Sequence, residues 1–237
     1  MSRWDDLLAV QDHDTLTDQL IHRRRTLPAR AELDGVMAQL AALEARAAEV
    51  EGSHHELTRA QQRLEDEISS LNEKATQHDK TLYSGSIGNP RELQALQDEI
   101  GALKRRVGQL EDKELELMEE IEPMEIELAR VAAERSSLDE AAASLRAQIA
   151  EYEVAIDTEL DTVAAERAAL VEGVEPALLA EYEQLRPHSG GIAIARLVGG
   201  SCGGCHLGLS AVEVDRIRRL PSDALVHCEE CGRLLVH

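Results

Sequence analysis

The sequence contains no phenylalanine, and aromatic residues make up only 2% of its 237 residues. Aromatic side chains supply much of the buried area in compact cores, so a conventional globular core is not expected here. The sequence also lacks an apolar run long enough to span a membrane or to serve as a secretory signal. These absences favour a cytoplasmic protein that has no membrane association and is built mainly from long helices.

Positive charge is scarce as well, because 46 acidic residues face 25 basic ones and the formal net charge is -21. The whole excess lies in residues 1–188, whereas residues 189–237 carry five charges of each sign. An acidic surface repels nucleic acid and anionic lipid. The first part of the chain is therefore interpreted as a solvated helical surface, and the alternative is a surface that docks a basic partner.

A short turn lies near the middle of the long helical part. Residues 83–90 contain two glycines and a proline, which is typical of a chain reversal. Asn89 is a good helix N-cap, Pro90 suits the first helical position, and Glu92 completes a capping-box pattern. We expect the chain to turn here and to begin a new helix at once.

Apolar residues on both sides of the turn recur at alternating intervals of three and four. Upstream the seam comprises Val36, Leu40, Leu43, Ala47, Val50, His54, Leu57, Gln61, Leu64, Ile68, Leu71, Ala75, His78 and Leu82. Downstream it comprises Leu93, Leu96, Ile100, Leu103, Val107, Leu110, Glu114, Leu117, Ile121, Met124, Leu128, Val131, Arg135, Leu138, Ala142, Leu145, Ile149, Tyr152 and Ile156. A repeat of 3.5 residues sustained over this length predicts a left-handed coiled coil.

Folding the chain at the turn brings the two seams into a constant antiparallel register. The facing pairs would be Leu82–Leu93, Ile68–Val107, Leu57–Leu117 and Val36–Leu138. The polar residue Gln61 would then face Glu114, and such a buried polar pair can fix the register. Pairing between two chains is the alternative, but the short turn favours a hairpin within one chain and a monomer or weak dimer.

The four cysteines form two C-x-x-C units that are separated by 22 residues. Each unit can place two thiolates on one metal ion, so Cys202, Cys205, Cys228 and Cys231 are predicted to bind Zn²⁺. A redox dithiol or a disulfide would not explain two matched pairs. The sequence C-G-G-C-H also fits haem attachment, but the second pair and the missing export signal argue against it. Four thiolates close the zinc site, so no position remains for a catalytic water.

The remaining signals predict smaller elements around these two features. Pro28 and the preceding arginines predict a helix break, and residues 176–186 read as a short third helix. Strands are predicted at 192–198, 225–227 and 233–236, with a helix capped by Ser210 between them. The expected domains are a coiled-coil hairpin over 1–173, a short helix and linker over 174–190, and a zinc ribbon over 191–237. The fold class is mostly α, with a long antiparallel two-helix hairpin and a small C-terminal β ribbon.

The hinge from Tyr83 to Gln97 and the four cysteines followed by G-R-L-L resemble one known bacterial family. That family combines a coiled-coil hairpin with a C-terminal C4-type zinc ribbon, and its members are often labelled nucleic-acid-binding proteins. The resemblance covers essentially the whole chain. It implies an elongated helical hairpin, a bound zinc ion and no enzyme activity.

The sequence contains no recognisable group of catalytic residues, so an enzyme is not favoured. Two binding functions are left as alternatives. The first is an adaptor that uses the coiled coil and the ribbon to bind an unknown protein partner. The second is an RNA- or DNA-binding protein whose ribbon supplies the contacts, with Arg196, Arg216, Arg218, Arg219 and Arg233 as candidates. The neutral ribbon, its negative Zn(Cys)4 centre and the lack of aromatic residues after Tyr182 weigh against nucleic acid.

The third helix raises a separate question about partners. Its apolar residues Leu178, Leu179, Tyr182 and Leu185 cannot all be buried by a two-helix coiled coil. They must pack on the ribbon, on the first helix near Trp4 and Leu8, or on a partner protein. Together with the ribbon, this helix is the expected recognition surface of an adaptor.

Overall fold

The computed structural model describes residues 3–237, which form a mostly helical chain that ends in a small sheet. The first two helices, α1 (Arg3–Arg25) and α2 (Pro28–Tyr83), are separated by two residues at the predicted break. In chain order the elements are α1 (Arg3–Arg25), α2 (Pro28–Tyr83), α3 (Pro90–Val171), α4 (Pro176–Leu185), a 3-10 turn (Arg186–Ser189), β1 (Ile194–Val198), β2 (Ser201–Cys202), α5 (Ala211–Arg218) and β3 (Leu234–Val236).

The chain divides into two compact units. One unit contains Leu33–Ser144, which includes most of α2, the turn and the first part of α3. The other contains Met1–Glu32 and Leu145–His237, and its described part begins at Arg3. This second unit joins the beginning and the end of the chain, a division that differs from the three consecutive domains expected from the sequence. Those domain boundaries remain a prediction.

In the unit Leu33–Ser144, α2 and α3 form an antiparallel coiled-coil hairpin. Every predicted seam position in this unit is buried or half-buried apart from Arg135, which is exposed and pairs with Glu44 on α2 at 3.1 Å. Ion pairs flank the seam on both helices, among them Arg106–Glu67 at 2.9 Å. Gln61 and Glu114 are both half-buried, but the amide of Gln61 donates to Glu65 on its own helix at 3.1 Å. The predicted facing of Gln61 and Glu114, and the register that it implies, stay predictions.

The turn between the two helices has the predicted cap. The side-chain oxygen of Asn89 accepts from the Arg91 amide at 3.0 Å, and its carbonyl accepts from the Leu93 amide at 3.1 Å. Gly85 has a φ of 73°, a left-handed conformation that glycine adopts without steric cost. Local residue chemistry therefore explains both the reversal and the start of α3.

The seam prediction is wrong at Tyr152, whose side chain is 49% exposed. Its neighbour Glu153 is half-buried instead, and its carboxylate accepts from Arg30 at 2.5 Å and lies 3.4 Å from Arg24. Both arginines lie at the α1–α2 break, where the regular heptad partner is missing. The ion pairs at the break therefore bring the glutamate inward and leave the tyrosine outside.

The sheet contains three strands in the order β2-β1-β3. Strands β1 and β2 are antiparallel, with Leu197 opposite Cys202, and β1 and β3 are parallel, with Ile194 opposite Leu234. The two-residue strand β2 was not predicted. The strand predicted at 225–227 is absent from the sheet, because His227 makes only an isolated bridge to Leu234.

A hydrophobic core joins the sheet to α1 and α4 within the unit that contains the chain ends. Its buried members are Trp4, Leu7, Val10, Val174, Leu178, Tyr182, Ala193, Ile194, Leu234 and Val236. Leu179 and Leu185 pack against this core with Leu8. The apolar face of α4 is thus covered by α1 and the sheet, and this explains why it needs no partner.

Candidate metal centre

The first cysteine pair lies on a tight turn that begins in β2. The Gly203 amide donates to the Arg196 carbonyl at 2.9 Å, and the Gly204 amide donates to the Cys202 sulfur at 3.3 Å. A Cβ atom at Gly203 would lie 2.9 Å from the Arg196 carbonyl oxygen, and one at Gly204 would lie 2.6 Å from the Arg233 side chain and 3.2 Å from the Ala195 side chain. The close approach of β1 therefore requires glycine at position 203, and at position 204 a side chain would collide first with Arg233.

The second cysteine pair lies on a similar turn before β3. The Cys228 amide donates to the Arg233 carbonyl at 2.8 Å, and the Gly232 amide donates to the Cys228 carbonyl at 2.8 Å. Gly232 closes the turn with a φ of 74°, which favours glycine. Each C-x-x-C unit thus holds its two sulfurs on one side of a backbone turn.

The two turns bring all four sulfur atoms together. Every pair of these atoms lies within 4.8 Å, and the Cys202–Cys231 and Cys205–Cys228 distances are both 3.9 Å. A tetrahedral zinc site with Zn–S bonds of about 2.3 Å has sulfur–sulfur edges of about 3.8 Å. The four thiols therefore match the size of a zinc tetrahedron, and Cys202 and Cys228 are buried. They form the zinc site of a C4 ribbon, as predicted.

The surroundings of the thiols differ in their effect on ionisation. Burial raises the pKa of the Cys228 thiol to about 12. Burial also acts on Cys231, but hydrogen bonds from the backbone amide and side chain of Arg233 outweigh it and lower the pKa of this thiol to about 7. A coordinated thiol is deprotonated, so zinc binding must release protons from this cluster.

The nearby histidines have other contacts. The His227 ring lies 2.8 Å from the Glu181 carboxylate on α4, and the His237 ring lies 3.4 Å from the Leu220 carbonyl. His206 adopts a left-handed conformation with a φ of 63° just after Cys205. Among residues 3–237, the cluster that could hold a metal consists of the four cysteines alone.

Four of the five arginines proposed as contacts are already engaged within the protein. Arg196 pairs with Asp5 at 3.2 Å, Arg216 with Glu213 at 2.5 Å, and Arg219 with Asp215. Arg233 donates to the Ile192 and Ser189 carbonyls. Only Arg218 is exposed and makes no ion pair with another residue of the segment 3–237. The structure therefore does not bring these five guanidinium groups together as one free basic surface.

The ribbon is fixed to α1 by polar contacts that the sequence did not reveal. The Gln11 side-chain oxygen accepts from the Ala193 and Ile194 amides, and its nitrogen donates to the Ile194 carbonyl, each at 2.8 Å. The Trp4 ring nitrogen donates to the Ser222 carbonyl at 2.8 Å. Gln11 falls seven residues after Trp4, on the apolar face of α1. This position in the sequence was the one sign that Gln11 would be buried and would need a hydrogen-bond partner.

A second buried polar group lies one turn further along α1. The Asp14 carboxylate accepts from the Tyr182 hydroxyl at 2.8 Å and from Arg167 at 2.7 Å. Arg186 donates to the Asp14 carbonyl and to Asp18. This network ties α1, α3 and α4 together. Burial and the hydrogen bond to Asp14 raise the pKa of Tyr182 above its ordinary value.

The fold and the site define an antiparallel coiled-coil hairpin protein with a C-terminal C4-type zinc ribbon. Residues 10–190 match the CT398-like coiled coil hairpin domain, and residues 201–235 match the C4-type zinc ribbon domain. Because the first match covers most of the chain, the protein belongs to the CT398-like coiled-coil hairpin family. Both domains are structural or binding modules rather than enzymatic families.

Three similar proteins illustrate how widely the architecture is shared. An uncharacterized protein of Mycobacterium tuberculosis is 30% identical over 97% of this chain and 93% of its own length. A solved structure from Mycobacterium smegmatis has a TM-score of 0.91 at 25% identity and covers 100% of this chain and 97% of that one. The structure of CT398 from Chlamydia trachomatis has a TM-score of 0.73 at 22% identity and shares the fold. The match covers 99% of this chain and 97% of that one.

No helix formed by residues 3–237 combines the length and the apolar character that a membrane span needs.

Proposed function

We propose that the protein is a non-enzymatic adaptor of the cytoplasm that binds other proteins through its coiled-coil hairpin and its zinc ribbon. The observation that carries this proposal is the closed set of four converging thiols. Four thiolates fill a tetrahedral zinc ion, so the metal has no open position for substrate or water. Its role is then to hold the ribbon in shape.

The ribbon offers an exposed surface for such binding. Val198, Leu207 and Val212 belong to β1, the first cysteine loop and α5, and their side chains are 64%, 50% and 81% exposed. Exposed apolar side chains of this kind gain free energy when a partner covers them. The α4 helix, which we expected to share this role, is instead buried against α1 and the sheet. The ribbon thus carries the proposed recognition surface at this end of the chain.

Point variants test this proposal better than a deletion, because removal of the ribbon would uncover Trp4, Leu7 and Val10. Val198→Thr and Val212→Gln together should weaken the capture of partner proteins by the zinc-loaded full chain. The matched control is Val154→Gln, which changes an exposed apolar residue of α3 outside the ribbon. Capture that is unaffected by the ribbon pair, with zinc content unchanged, would remove the ribbon from the proposal.

Nucleic-acid binding by the ribbon is the second candidate, and the exposed, unpaired guanidinium of Arg218 is the observation in its favour. Phosphate binding by several basic side chains makes affinity fall steeply with salt. Arg216 pairs with Glu213, and Arg219, which follows α5, pairs with Asp215, so Arg218 is the one of these three arginines that has no ion pair among residues 3–237. The adaptor function is therefore better supported. Titration of single-stranded RNA and DNA at two salt concentrations distinguishes the two candidates.

A further inference from the structure

The outward side of α3 between residues 111 and 127 has an unusual combination of charge and apolar exposure. This segment contains nine acidic residues and a single basic one, Lys113. Two of the acids have cationic neighbours, since Glu125 lies 3.5 Å from His54, and Glu127 pairs with Arg46 and Arg130. The exposed acids that form no ion pair with any residue of the range 3–237 are Glu111, Asp112, Glu116, Glu119, Glu120 and Glu122.

Apolar side chains emerge from the middle of this acidic segment. Leu115, Met118 and Ile126 are 57%, 47% and 64% exposed, whereas the hairpin seam is formed by other residues of the same helix. Leu115 and Ile126 are eleven residues apart, which is three helical turns or about 16 Å, so they share one face. Glu119 and Glu122 lie between them on that face. We call the surface formed by Leu115, Met118, Glu119, Glu122 and Ile126 the acidic apolar face.

Pro123 adds a backbone acceptor to the same face. It is exposed within the continuous helix α3 and has no amide hydrogen. The carbonyl of Glu119, four residues earlier, therefore lacks its intrahelical donor. A carbonyl without its helical donor, beside carboxylates that have no ion pair among residues 3–237, favours a ligand that brings N–H donors and positive charge.

We propose that the acidic apolar face binds a basic amphipathic helix of a partner protein. This inference rests on the proposed adaptor function and identifies the chemistry of one partner. Apolar side chains of the bound helix would cover Leu115, Met118 and Ile126, and its lysines or arginines would meet the flanking carboxylates. The spacing suits a helix, because Leu115 and Ile126 are about three helical turns apart and Met118 is an i,i+3 neighbour of Leu115.

Other occupants suit this face less well. A second copy of the chain would bring the same unpaired carboxylates together, and such like-charge contacts are unfavourable. Nucleic acid and anionic membranes carry the same sign of charge as the face and are repelled by it. Charge complementarity therefore selects a basic protein segment.

The test uses the zinc-loaded full chain and a synthetic fluorescent peptide of about 18 residues, which forms about five helical turns. The peptide carries leucines at helical spacing and lysines on both flanks. A second peptide has the same composition in an order that scatters the leucines. Fluorescence anisotropy should show that the ordered peptide binds about tenfold more tightly than the scattered one, because only it presents an apolar face.

Protein variants then place the binding on α3. Leu115→Gln combined with Ile126→Gln should weaken binding about tenfold, while Val154→Gln, an equally polar change elsewhere on the helix, should leave it unchanged. Glu119→Gln with Glu122→Gln should weaken binding and reduce its salt dependence. Glu140→Gln with Glu151→Gln is the matched control, because both residues are exposed and have no ion pair among residues 3–237. Circular dichroism checks that each variant keeps its helices.

Three results would overturn the inference. The first is equal binding of the two peptides, and the second is equal weakening by the variants and their controls, since both indicate attraction by charge alone. The third is self-association of the wild-type chain that Leu115→Gln with Ile126→Gln abolishes, because a second copy would then occupy the face. The adaptor function is judged separately. It survives if these two substitutions leave protein capture unchanged, and it fails if the wild-type chain captures no protein.

Discussion

The side chain of Gln11 forms hydrogen bonds with both backbone groups of Ile194, in the way that a neighbouring strand would. Its oxygen accepts from the Ile194 amide and its nitrogen donates to the Ile194 carbonyl, each at 2.8 Å, and the oxygen also accepts from the Ala193 amide. Gln11 is only 8% exposed, so water cannot replace these bonds. A residue near the start of the chain thereby completes the first strand of the ribbon.

Replacement of Gln11 by leucine should destabilise the unit that joins the chain ends. The change leaves buried backbone donors and an acceptor without partners, at a cost of about 1–3 kcal/mol for each unsatisfied group. Urea unfolding followed by the fluorescence of Trp4, the single tryptophan, measures the loss. Gln19→Leu is the control, because Gln19 lies exposed on the same helix. An equal effect of the two substitutions would contradict this role for Gln11.

Removal of zinc should unfold the ribbon and expose Trp4. Structural zinc sites contribute about 10 kcal/mol or more to folding, and the Trp4 ring is 2% exposed and bonded to Ser222 of the ribbon. A chelator should therefore shift the tryptophan emission to longer wavelength while most of the helical circular dichroism remains. Because protons compete with zinc for the thiolates, release should become easier as the pH falls. Elemental analysis should find one zinc per chain, and Cys228→Ser should lower that value.

The stability of the protein should fall at high pH because of Tyr182. Burial and the hydrogen bond to Asp14 raise the pKa of Tyr182 in the folded protein, whereas in the unfolded chain the pKa of this tyrosine is about 10. The stabilisation is complete below about pH 10 and is lost as the pH rises towards the folded-state pKa, because only the unfolded chain then releases the proton. Tyr182→Phe should reduce this alkaline loss at a cost of about 1 kcal/mol at neutral pH. Urea midpoints at pH 8 and above pH 10 provide the measurement, with Tyr152→Phe as the exposed control.

Spin labels should confirm that the hairpin forms within one chain. Cysteines introduced at Arg63 and Asp112, both exposed, should place two labels within about one helix-pair spacing of 8–10 Å plus the label linkers. The zinc-loaded protein is used so that the four native thiols remain protected. Dilution with unlabelled protein should not change the distance. A separation of many tens of ångströms, or a signal that disappears on dilution, would instead indicate pairing between chains.

Neutralisation of the three arginines at the C-terminal end of α5 should distinguish the two candidate functions. Arg216→Gln, Arg218→Gln and Arg219→Gln together should weaken the capture of an acidic protein partner while zinc content and helicity stay the same. Arg218→Gln alone should account for most of the effect, because the other two have acidic partners. If the triple change instead abolishes a strong, salt-sensitive affinity for RNA or DNA, nucleic-acid binding replaces the adaptor proposal.

The helices were predictable because their signals are local or periodic. Helix α3 begins at Pro90 as the sequence indicated, and Asn89 caps it. The zinc ligands were predictable because two C-x-x-C units have few other uses. The break near Pro28 was predicted, but helix propensity and heptad spacing contain no information about the ion pairs that Arg24 and Arg30 form there with Glu153, which is half-buried while Tyr152 is exposed. The choice between them is made by residues more than a hundred positions away.

The joining of α1 to the ribbon could not be predicted for a similar reason. A glutamine and an aspartate on an apolar helix face indicate buried polar partners, but they do not say which ones. The partners of Gln11 and Asp14 lie near residues 167–194, and only the folded chain brings them together. The position of α4 was predicted correctly. The sequence did not decide whether its apolar face packs within the protein or against a partner protein.

The core that contains both Trp4 and Val236 also determines when this unit can fold during synthesis. Trp4 leaves the ribosome long before Val236, so the hairpin of Leu33–Ser144 can form while α1 still lacks its cover. The cover is complete only after Leu234 and Val236 have been synthesised and zinc has organised the ribbon. A truncated or metal-free chain would therefore keep Trp4, Leu7 and Val10 accessible to chaperones and proteases, which act on exposed apolar surface.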